Sequence, residues 1–294
     1  MVSRALEVLI IAFSRLCGLL LLGSIGTIVC YLLYKGMGAI NLKLIFGDTA
    51  PLQALLLRRQ VFDGLFPAIV GTVSLVLLAL SFAVPVGIAA GIYMAEYSQA
   101  QCKRFFGFFF DVLASIPSIV VGLYGFSVAV FLHHHLSEQI YPCLLVSALS
   151  LAFLVLPYVI RTTQIALESI PMAIRHTAPA LGATKLQNIF YVLIPGSLSS
   201  ITSGLLLAAG RCVEDTAVIM LTGVVASAGV PKSIFGQFEA LPFYIYTTSS
   251  QYADSRELAG GYGAAVILLI ICPILFGVSF FIKNQFGRQA PYRI

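Results

Sequence analysis

Arg211, Glu214 and Asp215 stand in the middle of an otherwise apolar run, residues 201–225, that is long enough to cross a bilayer. An ionised side chain at that depth costs roughly 2.5 kcal/mol or more, so such residues face a partner or a water-filled path. Arginine cannot escape by losing its proton, and its planar fork of donors suits oxyanions. In a continuous helix Glu214 and Asp215 follow Arg211 by three and four residues and share its face. The chemistry this trio points to is the passage of something polar through a membrane. An internal ion pair that only holds helices together is the alternative.

The elements that position the trio follow from hydropathy. The chain has 294 residues, 59% of them hydrophobic and only 10% charged, and its mean hydropathy is +0.98. A soluble domain so apolar would expose sticky patches, so the bilayer is the solvent for most of it. Runs near the ~20 residues needed to span hydrocarbon occur at 16–34, 66–94, 105–132, 142–160, 199–221 and 262–282. The short alternating segments of a membrane barrel are not in evidence, which predicts an all-α protein with six spans. Pro85 and Pro117 inside these runs are tolerated where neighbours satisfy the freed backbone groups. Pro117, followed by Ser118, lies about halfway along the third run. A simple kink is the preferred expectation there. The other is a break that places a helix N-terminus, with free amides, near the midplane.

Basic residues set the expected orientation. With a cytoplasmic N-terminus the inner segments hold Arg4, Arg15, Lys103, Arg104, Arg161, Arg175, Lys185, Lys283, Arg288 and Arg293. The outer ones hold Lys35, Lys43, Arg58, Arg59, Lys232 and Arg256, ten against six. Both termini are therefore expected in the cytoplasm. The net charge of +5 reflects this bias and not a nucleic-acid surface. The run 16–34 is longer than a signal-peptide core and lacks a clear cleavage site, so it reads as a retained first helix. The cysteines Cys17, Cys30, Cys102, Cys143, Cys212 and Cys272 are scattered, mostly in spans, and read as packing residues.

No part of the chain outside the spans is large enough for its own core, so energy-yielding chemistry falls to a partner. His133, His134 and His135 point about 100° apart on a helix, and no acid or thiol pattern completes a metal shell. The chain shows no HExxH, no GxSxG and no paired-aspartate signature, which argues against an intramembrane hydrolase. A purely structural subunit needs neither charges inside a span nor a structured inner loop. The longest polar connections are 35–63 and 223–257; the second carries Pro231, Pro242 and tyrosines, which suggests an ordered cap. Residues 161–188 read as a structured inner connection. Pro171 suits the first turn of a short helix running to about Leu181, and Pro179 bends it near its end. Gly182 fits the left-handed position that ends helices. Thr184 and Gln187 have capping-box spacing, so a second helix starts there. Two short helices joined by a glycine make a docking element for a partner's groove.

The segment from Arg175 through His176, Thr177, Ala178, Pro179, Ala180, Leu181, Gly182, Ala183, Thr184 and Lys185 to Gln187, continued by Val192, Leu193, Ile194 and Pro195, resembles the EAA signature of bacterial ABC importer permeases. The pattern, an EAA followed by a glycine and later by I-x-L-P, aligns on Gly182 and Pro195. The chain departs from it at His176, where the family has glutamate, and at Thr177, where it has alanine. Three further stretches, GIAAGIYMAEY (87–97), LASIPSIVVGL (113–123) and RCVEDTAVIMLTG (211–223), resemble the phosphate-importer branch, of the PstA and PstC type and the PstA type best. The last is similar to that branch's R-x-x-G-E-T-A, with Glu214 in the glycine's place and Asp215 in the glutamate's. Residues 240–246 resemble the outer loop of the same branch.

The resemblance implies a type I ABC importer permease fold, with residues 1–64 as first helix and outer loop and 65–294 as permease core. It implies import of inorganic phosphate, or of another oxyanion such as molybdate, tungstate or sulfate. The expected partners are a second permease (PstC-like or a second copy), two ATP-binding subunits that hold ATP and Mg, and a phosphate-binding protein outside. No cofactor and no catalytic residue are expected in this chain. Arg211, Glu214 and Asp215 would line the path. The coupling loop, about 161–195, would present Arg175, His176, Ala178, Gly182, Ala183, Thr184, Gln187 and Pro195 to the ATPase. One positive charge against two carboxylates sums to −1, which is wrong for a lone anion site. Either a carboxyl is protonated or the second permease adds positive charge, and the paired permeases of the family favour the second.

Overall fold

The computed structural model describes residues 2–47, 49–55, 61–62, 64–135 and 141–287. Among them are six helices long and apolar enough to cross a membrane, and no strand beyond an isolated bridge between Val224 and Phe238. The chain begins with α1 (Val2–Met37), two single turns, α2 (Leu42–Phe46) and α3 (Pro51–Leu55), and α4 (Phe66–Glu96). Next come α5 (Ala100–Ala114), α6 (Ser118–His135) and α7 (Leu144–Glu168). A loop with three short turns, α8 (Met172–Arg175), α9 (Thr177–Ala180) and α10 (Lys185–Asn188), passes through a π-helical turn (Ile189–Leu193) into α11 (Ile194–Glu214). α12 (Ala217–Thr222), α13 (Leu241–Gln251) and α14 (Ser255–Gly287) complete it. Arg58, Arg59, Arg288 and Arg293, which enter the charge count above, lie outside the described residues.

Three expectations change. The third run is not one kinked helix, because α5 ends at Ala114 and α6 starts at Ser118. The fifth run is divided too, between Glu214 and Ala217. α7 continues to Glu168, so Arg161 belongs to a span and not to the connecting loop.

The core is built from small residues. Ala79, Ala83, Gly87 and Gly91 of α4 are buried against Ala148, Ala152, Val155 and Val159 of α7. A Cβ on Gly87 would lie 2.6 Å from the Val159 side chain, and one on Gly91 2.6 Å from Thr163. Such close backbone approach is how helices associate where lipid is as apolar as leucine. Gly125 of α6 does the same for α7, since a Cβ there would meet Ser150 Oγ at 2.1 Å. Thr222 of α12 donates to Ser147 Oγ of α7 at 2.9 Å, joining the two buried hydroxyls. The first helix meets the rest chiefly through α14, where Tyr31 and Tyr262 pack edge-on at 6.0 Å.

Residues 223–240 close one end of the bundle. The buried Glu239 carboxylate accepts the N–H groups of Ala228 at 2.9 Å and Gly229 at 2.8 Å. Burial pushes its carboxyl up, and these two donors pull it partly back. Thr72 Oγ1 of α4 accepts the Leu241 N–H at 2.9 Å, which seats the start of α13.

Candidate functional site

Proline chemistry makes the first interruption. Pro117 has no N–H to give to Leu113 and disfavours a helical Ile116 before it. The chain instead closes α5 with short bonds, Ser115 N–H to Val112 and Ile116 N–H to Leu113, and restarts with Val120 and Val121 bonding to the Pro117 carbonyl. The Ala114 carbonyl takes the hydroxyl of Tyr158, at 3.1 Å. Tyr158 lies in the middle portion of α7, so the interruption sits beside the middle of a continuous span.

The second interruption is at Asp215, whose backbone is extended (φ −75°, ψ 113°). Its Oδ1 accepts the Val218 N–H at 2.9 Å and so caps the first turn of α12. The helix therefore does not carry Asp215 round to the face of Arg211, as a continuous run would. Arg211 lies with its guanidinium 4.6 Å above the ring of Tyr158. Among the described residues, no carboxylate comes within 4.0 Å of Arg211 and none of its N–H groups has a hydrogen-bond acceptor. The pair picture for the trio is thus replaced by three separate placements: a stacked cation, an exposed Glu214 and a capping Asp215. Arg211 and Glu214 line a cleft of about 220 Å³ with Tyr158, Leu207, Ala208 and Gly210. A half-buried cation with free donors on one wall, beside an exposed acid, can receive an anion.

The connecting loop is held from within. Gly182 has φ +86°; its N–H bonds to Pro179 O at 3.0 Å and that of Ala183 to Ala178 O at 3.0 Å. This is the Schellman closure, which only a residue at ease with positive φ provides. Thr184 and Gln187 form both bonds of the capping box, at 2.8 and 3.3 Å. The first short helix is split at His176 into α8 and α9. Pro179 cannot donate to Arg175 O, and the Nδ2 of Asn188 fills that place at 3.0 Å. Arg175 itself turns inward, paired with Glu96 at the end of α4 and donating to Leu167 O at 2.6 Å. His176, Gly182, Thr184 and Gln187 are exposed, while Ala178, Ala183 and Pro195 are half-buried. Ile194 N–H bonds five residues back to Ile189 O, so the register widens just before Pro195, which has no N–H to give.

Sequence reasoning missed Tyr158, Glu96, Asn188 and the bidentate pair of Arg161 with Asp111, both bonds 3.2 Å. An ionisable residue inside a span signals that a partner exists, but not which one. The three histidines form no metal cluster among the described residues.

Two interrupted helices, linked through Tyr158, beside a charged cleft in a six-span protein define a class: polytopic transport proteins, which use unwound mid-span backbone to build ligand paths. Residues 87–286 match the family described as binding-protein-dependent transport system inner membrane component. The chain is 34% identical over 249 residues, 83% of its own length and 78% of the relative's, to the phosphate transport system permease protein PstA of Yersinia pestis. It is 30% identical over 263 residues, 86% of this chain and 87% of the relative, to PstA of Haemophilus influenzae. Its fold is also similar to a chain of a bacterial alginate ABC transporter solved with an alginate-pentasaccharide-bound periplasmic protein. There the TM-score is 0.61 at 18% identity, covering 92% of this chain and 95% of that one. The chain belongs to the binding-protein-dependent transport inner membrane family, in its PstA-type branch.

Proposed function

We propose that this chain is the transmembrane permease subunit of an ATP-driven importer of inorganic phosphate. The observation that carries the reading is Arg211, a guanidinium with free donors lining a cleft next to the α11–α12 interruption, in a chain similar over most of its length to phosphate permeases. Arg211 and Glu214 line the path, and Asp215 shapes it by starting α12. A second permease closes the cleft and adds the positive charge that the local sum of −1 lacks. The subunit catalyses nothing itself; two ATP-binding subunits carry ATP and Mg and dock on the loop around Gly182. Both termini and that loop lie in the cytoplasm, and a phosphate-binding protein delivers the anion at the end closed by residues 223–240. The membrane is the bacterial inner one. Residues 1–64 form the first transmembrane helix and outer loop, and 65–294 the permease core.

The test is radiolabelled phosphate uptake at matched amounts of assembled complex. Arg211→Lys keeps the charge and loses the fork, so uptake should fall sharply while assembly survives. The triple change Arg211→Met, Glu214→Gln, Asp215→Asn removes every charge and keeps an acceptor to cap α12. It should assemble and fail to transport. Near-normal uptake by the triple variant would leave these residues as scaffold and sink the pathway reading. Competition by molybdate, tungstate or sulfate separates phosphate from the other oxyanions.

A further inference from the structure

We propose that Tyr158 is the positioning residue of the Arg211 site, a role that rests on the reading of Arg211 as part of the anion path. Its ring lies 4.6 Å from the guanidinium carbon. A guanidinium stacked on an aromatic face spends its flat side on the ring and keeps its in-plane N–H groups for another partner. A salt bridge would have consumed those donors, and the structure places no carboxylate against them among the described residues. The ring is itself held. Its neighbours Pro157 and Val159 are buried in the α4–α7 packing, and its hydroxyl donates to Ala114 O at 3.1 Å. In an unbroken helix that carbonyl would accept the Ser118 N–H, so the tyrosine satisfies the backbone group that the interruption before α6 leaves open. One side chain on an unbroken span thus holds the Arg211 guanidinium beside the cleft and ties it to the end of α5. Tyr158 also lines the cleft.

The two functions of the side chain separate by substitution. Tyr158→Phe keeps the ring face and loses the hydroxyl; Tyr158→Leu loses both. In the complete transporter, at matched amounts of assembled complex, Tyr158→Leu should cut phosphate uptake about tenfold, the factor expected from losing a partly desolvated cation–π contact. Tyr158→Phe should restore uptake to within about twofold of the parent, because the stacking survives. In an Arg211→Lys background Tyr158→Leu should cost less than about twofold more, since residues acting through one contact are not additive. Parent-like uptake by Tyr158→Leu overturns the proposal. So does an equal loss in Tyr158→Phe, or a full independent loss in the Arg211→Lys background. If Arg211→Lys alone transports normally, the pathway reading falls and this inference with it. If Arg211→Lys is deficient while Tyr158→Leu is normal, only the role of Tyr158 falls.

Discussion

Gly182 is a residue whose conformation, not its contacts, does the work. An added Cβ would meet nothing within 4 Å, yet its φ is +86°. Gly182→Val therefore strains the backbone alone, by about 1–2 kcal/mol for a left-handed L residue and more for a β-branched one. The complex should lose transport-linked ATP hydrolysis while this subunit still inserts; full coupled activity in a well-expressed variant would refute a coupling role for the joint. Gly182, Thr184 and Gln187 were legible in the sequence because their bonds span only a few residues. Asp215 was not, because the hydropathy around it is that of an uninterrupted helix and only the extended backbone at that position shows a cap. Tyr158 was invisible for another reason: what it touches, Ala114 and Arg211, comes from two other helices.

At the scale of elements, the loop is tied to the end of α4 by a largely but not fully buried ion pair. The side chains of Arg175 and Glu96 are 15% and 9% exposed, and Lys185 also donates to the Glu96 carbonyl. Breaking such a pair from one side leaves an uncompensated charge and costs about 3–5 kcal/mol, whereas replacing both partners by apolar residues is often neutral. Arg175→Ala should thus lower the thermal unfolding midpoint in detergent markedly, and the double variant Glu96→Leu, Arg175→Met should recover most of the loss. Equal midpoints for the parent and Arg175→Ala would show that the pair does not hold the loop. The six spans could be read from length and hydropathy alone, because crossing hydrocarbon needs ~20 apolar residues whatever the fold. The interruptions could not. Pro117 marked a place where a break was possible, and Tyr158 taking up the Ala114 carbonyl distinguishes the observed break from a kink.

At the scale of the molecule, the small-residue core joins α4, α7, α11 and α12, and the cleft of Arg211 and Glu214 lies beside it, sharing Ala208. The all-helical class and the family resemblance were readable in advance, since composition and ordered motifs survive without coordinates. The division of labour inside the trio was not, because it depends on where one helix stops. That stop has a consequence for biogenesis. Residues 194–222 carry Arg211, Glu214 and Asp215, each worth roughly 2.5–3.5 kcal/mol against insertion at a helix centre. Unpaired amides at the Asp215 interruption are tolerated only when protein, not lipid, surrounds them. The α12 segment is packed on α6 and bonded to Ser147 of α7, and both helices are synthesised earlier. The segment should therefore enter the bilayer poorly on its own and well beside a co-expressed fragment of residues 65–168, as scored by glycosylation of flanking reporter sites. Equal insertion in both settings would contradict this order. The ribosome, by releasing α6 and α7 first, supplies the scaffold against which the most charged part of the chain comes to rest.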